Sequence, residues 1–221
     1  MKVCTDSCVA GAWFSSMIVR DQVSVTNCLD IGTGTGLLAL MLAQKINLYF
    51  DAVEIDENAF LQSAENFDAS PWNNRLKSIH ADIKTFKPIR KYDLIISNPP
   101  FFENQLRSDD KNRNVSMHNE SLDLQQLISA VDSLLAHNGH FGILLPFKRL
   151  NYFESVAAEQ KIYTLEKLLI RQTPQHDFFR SALICSRSKK AVVQNELTIR
   201  DDKGKYSSEF TELLKDYYLA L

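Results

Sequence analysis

Asn27-Cys28-Leu29-Asp30-Ile31-Gly32-Thr33-Gly34-Thr35-Gly36-Leu37-Leu38-Ala39-Leu40 is the stretch whose reading decides the fold. An apolar run carrying an acid leads into three glycines at alternate positions and then into a long apolar helical pattern, which is the order strand, tight turn, helix. Glycine permits positive φ and close approach of a ligand to the backbone, and the helix that follows offers unpaired N–H groups at its N-terminus. The turn therefore reads as a nucleotide cradle. A dinucleotide fingerprint places glycine first, third and sixth, whereas here Leu37 occupies the sixth position and Gly36 the fifth. That disfavours an NAD-linked oxidoreductase. A glycine-rich turn in some other α/β protein is the plain alternative for this stretch alone.

Working outward, Tyr49 to Asp56 reads as a second strand, and Asp56-Glu57-Asn58 opens the next helix through an acidic cap and first turn. An acid at the end of the second strand of a βαβ unit can accept both ribose hydroxyls of a nucleoside, because a carboxylate takes two hydrogen bonds side by side. Glu54 fits that role better than Asp56, whose work as a helix cap is explanation enough. Leu76 to His80 gives a third strand with Ala81-Asp82-Ile83 at its C-terminal edge, where open α/β sheets bind ligands. Asp82 suits an adenine amino group and Ile83 its ring face, though Asp82 also reads as a solvated turn acid.

The second informative stretch is Asp93 to Phe101. Asp93 to Ser97 reads as a buried fourth strand, and Pro99-Pro100 ends it by removing backbone donors and fixing φ. Such a stiff turn aims two acceptors, the Asn98 carboxamide and the Pro99 carbonyl, into the crevice at the strand ends, with the Phe101 ring beside them. That set suits a planar amine whose lone pair is delocalised. Two acceptors holding its two N–H groups orient the nitrogen towards an electrophile. No strong base is needed beforehand, because the proton becomes acidic once the nitrogen is alkylated. A base stacked on Phe101 within a nucleic acid must be splayed from its neighbours. An Asn-Pro-Pro-Phe run on its own can equally be an ordinary turn.

The remainder bounds the protein class. With 221 residues at 45% hydrophobic, the chain suffices for one α/β core, and residues 1–221 read as a single domain. The four cysteines form no Cys-x-x-Cys pair, and Cys28 and Cys185 sit in apolar strand-like runs, which indicates a reducing compartment. His137 and His140 bracket an Asn138-Gly139 turn that reads as a helix end, so no metal site is expected. No signal peptide or spanning apolar run is seen, which points to a cytoplasmic protein away from membranes, expected to be a monomer. A net charge of −2 excludes a global basic footprint but permits a locally basic face. The first helix, capped near Asp6 or Ser7, is expected over the glycine loop. The polar run 102–121 reads as a substrate-side lid, with Lys111, Arg113 and His118 as candidate substrate contacts, joined by Lys148 and Arg149 beyond the fifth strand. A helix is expected over 122–136, strands over 139–146, 164–173 and 179–188, a hairpin turn at 174–177, a last strand near 197–200 and a helix over 207–219. Arg187, Lys189 and Lys190 form a short basic cluster that is either a solvated face or an RNA contact.

Together, Asp30-x-Gly32-x-Gly34-x-Gly36, Glu54, Ala81-Asp82 and Asn98-Pro99-Pro100-Phe101 resemble the amino-methyltransferases of the class I S-adenosylmethionine-dependent superfamily. Met1-Lys2-Val3, Thr5-Asp6, Gly11-Ala12-Trp13, Cys28 to Gly32, Gly36 to Gln44, Leu197 to Arg200, Tyr206-Ser207, Glu209-Phe210 and Asp216 to Leu219 narrow this, and the chain is similar to the bacterial tRNA1(Val) adenine-37 N6-methyltransferase family. The resemblance implies a Rossmann-like, seven-stranded, mostly parallel sheet with an antiparallel terminal hairpin and helices on both faces. It implies S-adenosylmethionine as cofactor, held by Thr5, Asp6, Asp30, Gly32, Gly34, Gly36, Glu54, Ile55, Ala81, Asp82, Ile83 and Asn98, with S-adenosylhomocysteine as product. Catalysis falls to Asn98, Pro99, Pro100 and Phe101, and tRNA is the implied substrate. Members of that family carry a further segment upstream of the Met-Lys-Val phrase, so the resemblance also implies that this chain lacks one. Cys4 and Ser7 stand where the family carries glycine. Guanine N2-methylation of rRNA and glutamine methylation of release factors share the Asn-Pro-Pro-Phe signature, and a module that binds S-adenosylmethionine or RNA without turnover is the non-enzymatic alternative.

Overall fold

The computed structural model describes residues 4–20, 25–100 and 123–220. Its centre is a sheet whose strands are β1 (Asn27–Ile31), β2 (Tyr49–Glu54), β3 (Leu76–His80), β4 (Tyr92–Ser97), β5 (Leu135–Pro146), β6 (Tyr163–Arg171), β7 (Phe178–Ser186) and β8 (Val193–Thr198). They lie side by side in the order β3-β2-β1-β4-β5-β7-β6-β8, and β7 alone runs against its neighbours. The expected mostly parallel sheet with an antiparallel terminal hairpin is present, but it has eight strands rather than seven. The additional edge strand, β8, pairs parallel to β6 from Glu166↔Val193 to Arg171↔Thr198. The expectation placed it a few residues later; Ile199 and Arg200 instead bond back to Arg171 O and Gln172 O as the chain leaves the sheet.

Six helices flank the sheet among the described residues: α1 (Thr5–Arg20), α2 (Leu37–Lys45), α3 (Glu57–Asp68), α4 (Leu124–Leu134), α5 (Leu150–Glu159) and α6 (Ser208–Leu214). Strand alternation assigns the two faces. Cys28, Leu94, Ile96, Leu144 and Ile184 join one apolar cluster with α1, α2 and α6, while Leu29, Ile31, Ile95, Ile143, Leu145 and Leu183 join the other with α4 and α5. Apolar residues at both parities are what a sheet covered on both sides requires. Helix α1 is apolar almost all round because it is buried against several elements. Its Gly11 touches α2, where a Cβ would lie 2.8 Å from Met41 Sδ, and its Phe14 covers Gly142 of β5. It starts at Thr5, so Asp6 lies in its first turn rather than capping it.

Two further boundaries differ from expectation. Helix α4 opens with a capping box between Asp123 and Gln126 and passes straight into β5 at Leu135, without the Asn138-Gly139 turn. Pairing jumps from Tyr92↔Leu135 to Leu94↔His140, so the extra residues bulge from the strand instead of ending the helix. Ser207 caps α6 by accepting from Phe210 N, but the helix stops at Leu214 rather than at Leu219.

Because β4 returns to the opposite side of β1 from β2, the strand order reverses between β1 and β4, and a crevice opens outside their C-terminal ends. The glycine loop follows β1 and Asn98 follows β4, so both informative stretches of sequence end at this one crevice. The loop's last residue is rigidly specified. Gly36 has φ +83°, and an added Cβ would lie 2.4 Å from Phe67 Cε1. Gly204 has a similar φ of +76° but open space around it. Gly36→Ala is therefore expected to cost about 1–3 kcal/mol more than Gly204→Ala, since both incur left-handed strain but only the first overpacks. Urea midpoints of the two variants measure the difference, and equal midpoints would show that Phe67 yields freely.

Candidate active site

The crevice is built from four strand ends. After β1, the loop turns through Gly32 and Gly34, with φ of +67° and +58°. Gly32 N and Thr33 N both donate to Val53 O, and Gly36 N donates to Thr33 O, which closes the turn before α2. From outside, Asn66 Nδ2 donates to Thr35 O. An ideal Cβ on Gly32 meets nothing within 4 Å, so the loop backbone faces open space that a ligand can approach.

Two acids stand behind this loop. Glu54 is buried at the end of β2; its Oε2 accepts from Gly34 N at 2.8 Å and its Oε1 from Ile55 N and Asp56 N at 2.9 and 3.0 Å. Roughly four lone-pair sites exist on a carboxylate, so three backbone donors leave little free capacity without rearrangement. Asp30 is only 1% exposed. Its Oδ2 accepts from Thr33 Oγ1 at 2.6 Å, while its Oδ1 is buried without a hydrogen-bond partner among the described residues. Burial is the chief cause that lifts its carboxyl to about 7, opposed by the Thr33 hydroxyl and the Ala39 backbone N–H, with the nearby Glu54 charge adding to it.

The third strand end carries Ala81, Asp82 and Ile83. Ala81 N donates to Glu54 O, tying this segment to β2. Asp82 folds back on its own turn, accepting from Lys84 N at 2.9 Å with Lys84 Nζ at 3.4 Å, and Ile83 is buried. Ile55, expected among the cofactor contacts, is an apolar side chain 56% exposed directly after Glu54, free to be covered by an aromatic ring.

The fourth end carries Asn98, half-buried, then buried Pro99 and exposed Pro100. Ser97 Oγ donates to Ile31 O, locking this turn to the end of β1. Asn98 Nδ2 donates to Ser7 Oγ at 2.8 Å, which leaves the carboxamide oxygen for another partner. Ser7 belongs to the first turn of α1, and the residue before it is fixed in turn: Arg180 Nε of β7 donates to Asp6 Oδ2 at 2.9 Å, and Ser7 N to Asp6 Oδ1. Ser7, Thr33, Asn66 and Arg180 are site residues that the sequence reading did not assign. Ser7 carried a signal, its departure from glycine, which here supplies an acceptor that glycine lacks.

Thr5, Asp6, Asp30, Gly32, Gly34, Gly36, Glu54, Ile55, Ala81, Asp82, Ile83, Asn98, Pro99 and Pro100 thus fall on one edge of the sheet, and Lys148 and Arg149, exposed just after β5, lie on the same edge. Phe101, Lys111, Arg113 and His118 lie outside the described residues. The cluster Arg187, Lys189 and Lys190 follows β7, whose Ser186 pairs with His140 near the start of the β4–β5 ladder, so it occupies the opposite edge. Arg187 is also committed to Asp132, through Oδ1 at 2.6 Å and the backbone O at 2.8 Å. Among the described residues no group of three His, Cys, Asp or Glu could hold a metal, and no helix is long and apolar enough to cross a membrane.

Comparison with known proteins adds an independent view. The methyltransferase small domain family matches residues 14–143. The protein named tRNA1(Val) (adenine(37)-N6)-methyltransferase from Flavobacterium johnsoniae is 36% identical, the match covering 100% of this chain and 94% of that protein. The protein of that name from Dyadobacter fermentans is 39% identical, over 99% of this chain and 91% of its own. In fold, the chain is similar to a predicted O-methyltransferase from Agrobacterium tumefaciens, with a TM-score of 0.73 at 12% identity over 95% of each chain. It is also similar to an S-adenosylmethionine-dependent methyltransferase from Clostridium acetobutylicum, with a TM-score of 0.59 at 14% identity over 80% of this chain and 90% of that one.

Asp30 makes the ligand-free protein sensitive to pH. Its carboxyl holds a proton up to about 7 when folded but only to about 3.8 when unfolded, so the folded state binds the extra proton between those values. The stability Asp30 supplies is complete below pH 4 and is lost as pH rises through 7, on the order of a few kcal/mol in all. Urea midpoints of the wild type from pH 5 to 8 should therefore fall relative to those of Asp30→Asn; parallel curves would exclude the raised value.

Proposed function

The chain belongs to the tRNA1(Val) (adenine(37)-N6)-methyltransferase family, and from that premise we propose that it transfers a methyl group from S-adenosylmethionine to the N6 amine of a tRNA adenosine, adenosine 37 beside the anticodon of tRNA1(Val). The observation that carries this reading is the Asn98 carboxamide, held through its nitrogen by Ser7 so that its oxygen remains for an amine at the edge of the crevice. A module without turnover has no use for a fixed acceptor there. The whole chain acts as a single methyltransferase domain.

The residues present fit S-adenosylmethionine. The open face of Gly32 admits a ligand against the backbone, and exposed Ile55 suits an aromatic ring. Glu54 is assigned to the ribose hydroxyls, which its oxygens would accept alongside, or in exchange for, the backbone N–H groups of Gly34, Ile55 and Asp56. When bound, S-adenosylmethionine supplies a methyl group on a cationic sulfonium. The protein's part is orientation. Asn98 Oδ1 and the Pro99 carbonyl accept the two N–H groups of the adenine amine, and the amine's lone pair, delocalised while planar, is directed at the methyl as the nitrogen pyramidalises. The proton is lost after alkylation makes it acidic, so a strong base is unnecessary. Phe101, the last residue of the motif, is assigned to stack on the splayed base.

Incubating the protein with labelled S-adenosylmethionine and unmodified tRNA, rRNA or release factor, then digesting the product, tests the assignment. N6-methyladenosine from tRNA is the expected product; label in guanine or glutamine would replace it with the corresponding activity. Asn98→Ala should lower kcat about a hundredfold or more while leaving cofactor affinity nearly unchanged, because it removes positioning alone. Ser7→Ala should lower kcat about tenfold, again at unchanged cofactor affinity, by freeing the Asn98 amide to rotate. A Ser7 variant as active as wild type would show that the amide is fixed by something else.

A further inference from the structure

Between the segment joining β3 to β4 and the outer face of α4 lies a groove of about 830 Å³. Among the described residues its lining includes Lys84, Lys87, Arg90 and Lys91 on one wall, with neutral Gln125 and Ser129 on the other, and no acid. In a chain of net charge −2, four cations within eight consecutive residues concentrate charge locally.

Among the described residues, the acids on the neighbouring elements are already engaged. Asp82 pairs with Lys84, Asp123 caps α4 by accepting from Gln126 N, Asp132 pairs with Arg187, and Asp93 accepts from Thr26. Lys91 Nζ donates to Ser133 O at the C-terminal end of α4, a contact that keeps its charge in place without neutralising it. Lys87 and Arg90 are exposed, and among the described residues neither makes an ion pair or a hydrogen bond. Two exposed cations with no acid on them present their charge to whatever lies in the groove.

The groove has a direction. It begins at Ile83 and Gln125, beside the Asp82 lip of the crevice, and runs along α4 to Lys91 and Ser133. From Gln125 to Ser133 the helix rises about 12 Å, enough to accompany roughly three phosphates of one strand. We propose that this groove is the track on which the phosphate backbone of the RNA substrate lies, with Lys87 and Arg90 as its principal phosphate contacts. The proposal rests on the reading of the substrate as tRNA. Backbone contacts of this kind fix the position of a nucleic acid without reading its sequence, which leaves base choice to the crevice.

Lys87→Ala/Arg90→Ala is the informative variant, since both side chains lie on the surface and outside the catalytic set. The affinity of unmodified tRNA, followed by fluorescence anisotropy across a salt series, should fall about tenfold near physiological salt, and the slope of log K against log salt should shrink by about two. Ser129→Glu, which adds a carboxylate to the opposite wall and removes no cation, should weaken binding in the same direction. Cofactor affinity and kcat at saturating tRNA should not change in either variant. Unchanged tRNA affinity and slope, or a wild type whose tRNA binding is insensitive to salt, would overturn the track. The two readings fail separately: methylation of tRNA by wild type and variant alike at equal KM would remove the groove and keep the function, whereas a reduced slope with no methyladenosine formed would keep the groove as an RNA site and remove the function.

Discussion

The Glu54 carboxylate is the constraint on which the site depends. A buried carboxylate costs several kcal/mol unless it is matched by donors, and Glu54 is matched by three backbone N–H groups: Gly34 of the loop after the neighbouring β1, and Ile55 and Asp56 on its own strand end. The bond to Gly34 pins the middle of the glycine loop to β2. Gly32 N and Thr33 N on Val53 O extend the same attachment by one residue. Once the loop is fixed there, the chain must turn back through Gly36 in the left-handed region to begin α2, and Phe67 of α3 fills the space that a side chain at Gly36 would need. Loop, helix start and neighbouring helix are thus set by one charge at a strand end.

What could be read from the sequence was what is locally determined. Glycines at Gly32, Gly34 and Gly36 announce positive φ, and Pro99-Pro100 announces the end of a strand, because each restriction acts within one or two residues. The alternation that buries Cys28 on one face and Leu29 on the other is local as well. What stayed hidden depends on distant pairing. Ser7 meets Asn98 across 91 residues, and Arg180 meets Asp6 across 174. The edge strand β8 was placed late because its residues are mostly exposed and its pairing with β6 is set by β6, not by its own pattern. The bulge at 136–139 has the same origin: Asn138-Gly139 looks like a helix stop, but the ladder with β4 draws the chain into a strand already at Leu135.

These distant contacts join two requirements that a methyl-transfer site must meet together. The acceptor must be rigid, and the region above it must admit a large substrate. Rigidity comes from below, through Ser97 on Ile31 O, and from the side, through Ser7, whose helix turn is clasped to β7 by the Asp6–Arg180 pair. That pair is mostly shielded from solvent, with the Asp6 side chain 16% exposed, so it holds its geometry better than a fully exposed ion pair would. Helix α1 therefore acts as a brace on the Asn98 turn as well as a cover for the sheet.

The distribution of charge follows from the same chemistry. Glu54, Asp56 and Asp82 lie around the crevice, and such a setting suits a cationic sulfonium but repels phosphate. A polyanionic substrate must nevertheless bring one base to this acidic edge. An even spread of cations would meet that need at the expense of the field that favours the cofactor. Placing Lys84, Lys87, Arg90 and Lys91 on the flank, in the segment that leaves the crevice, keeps the two fields apart while leaving them adjacent. The Asp82–Lys84 contact, 3.4 Å long, is where they meet, and it divides a surface that favours the cofactor's positive charge from one that favours the negative charge of a nucleic-acid backbone.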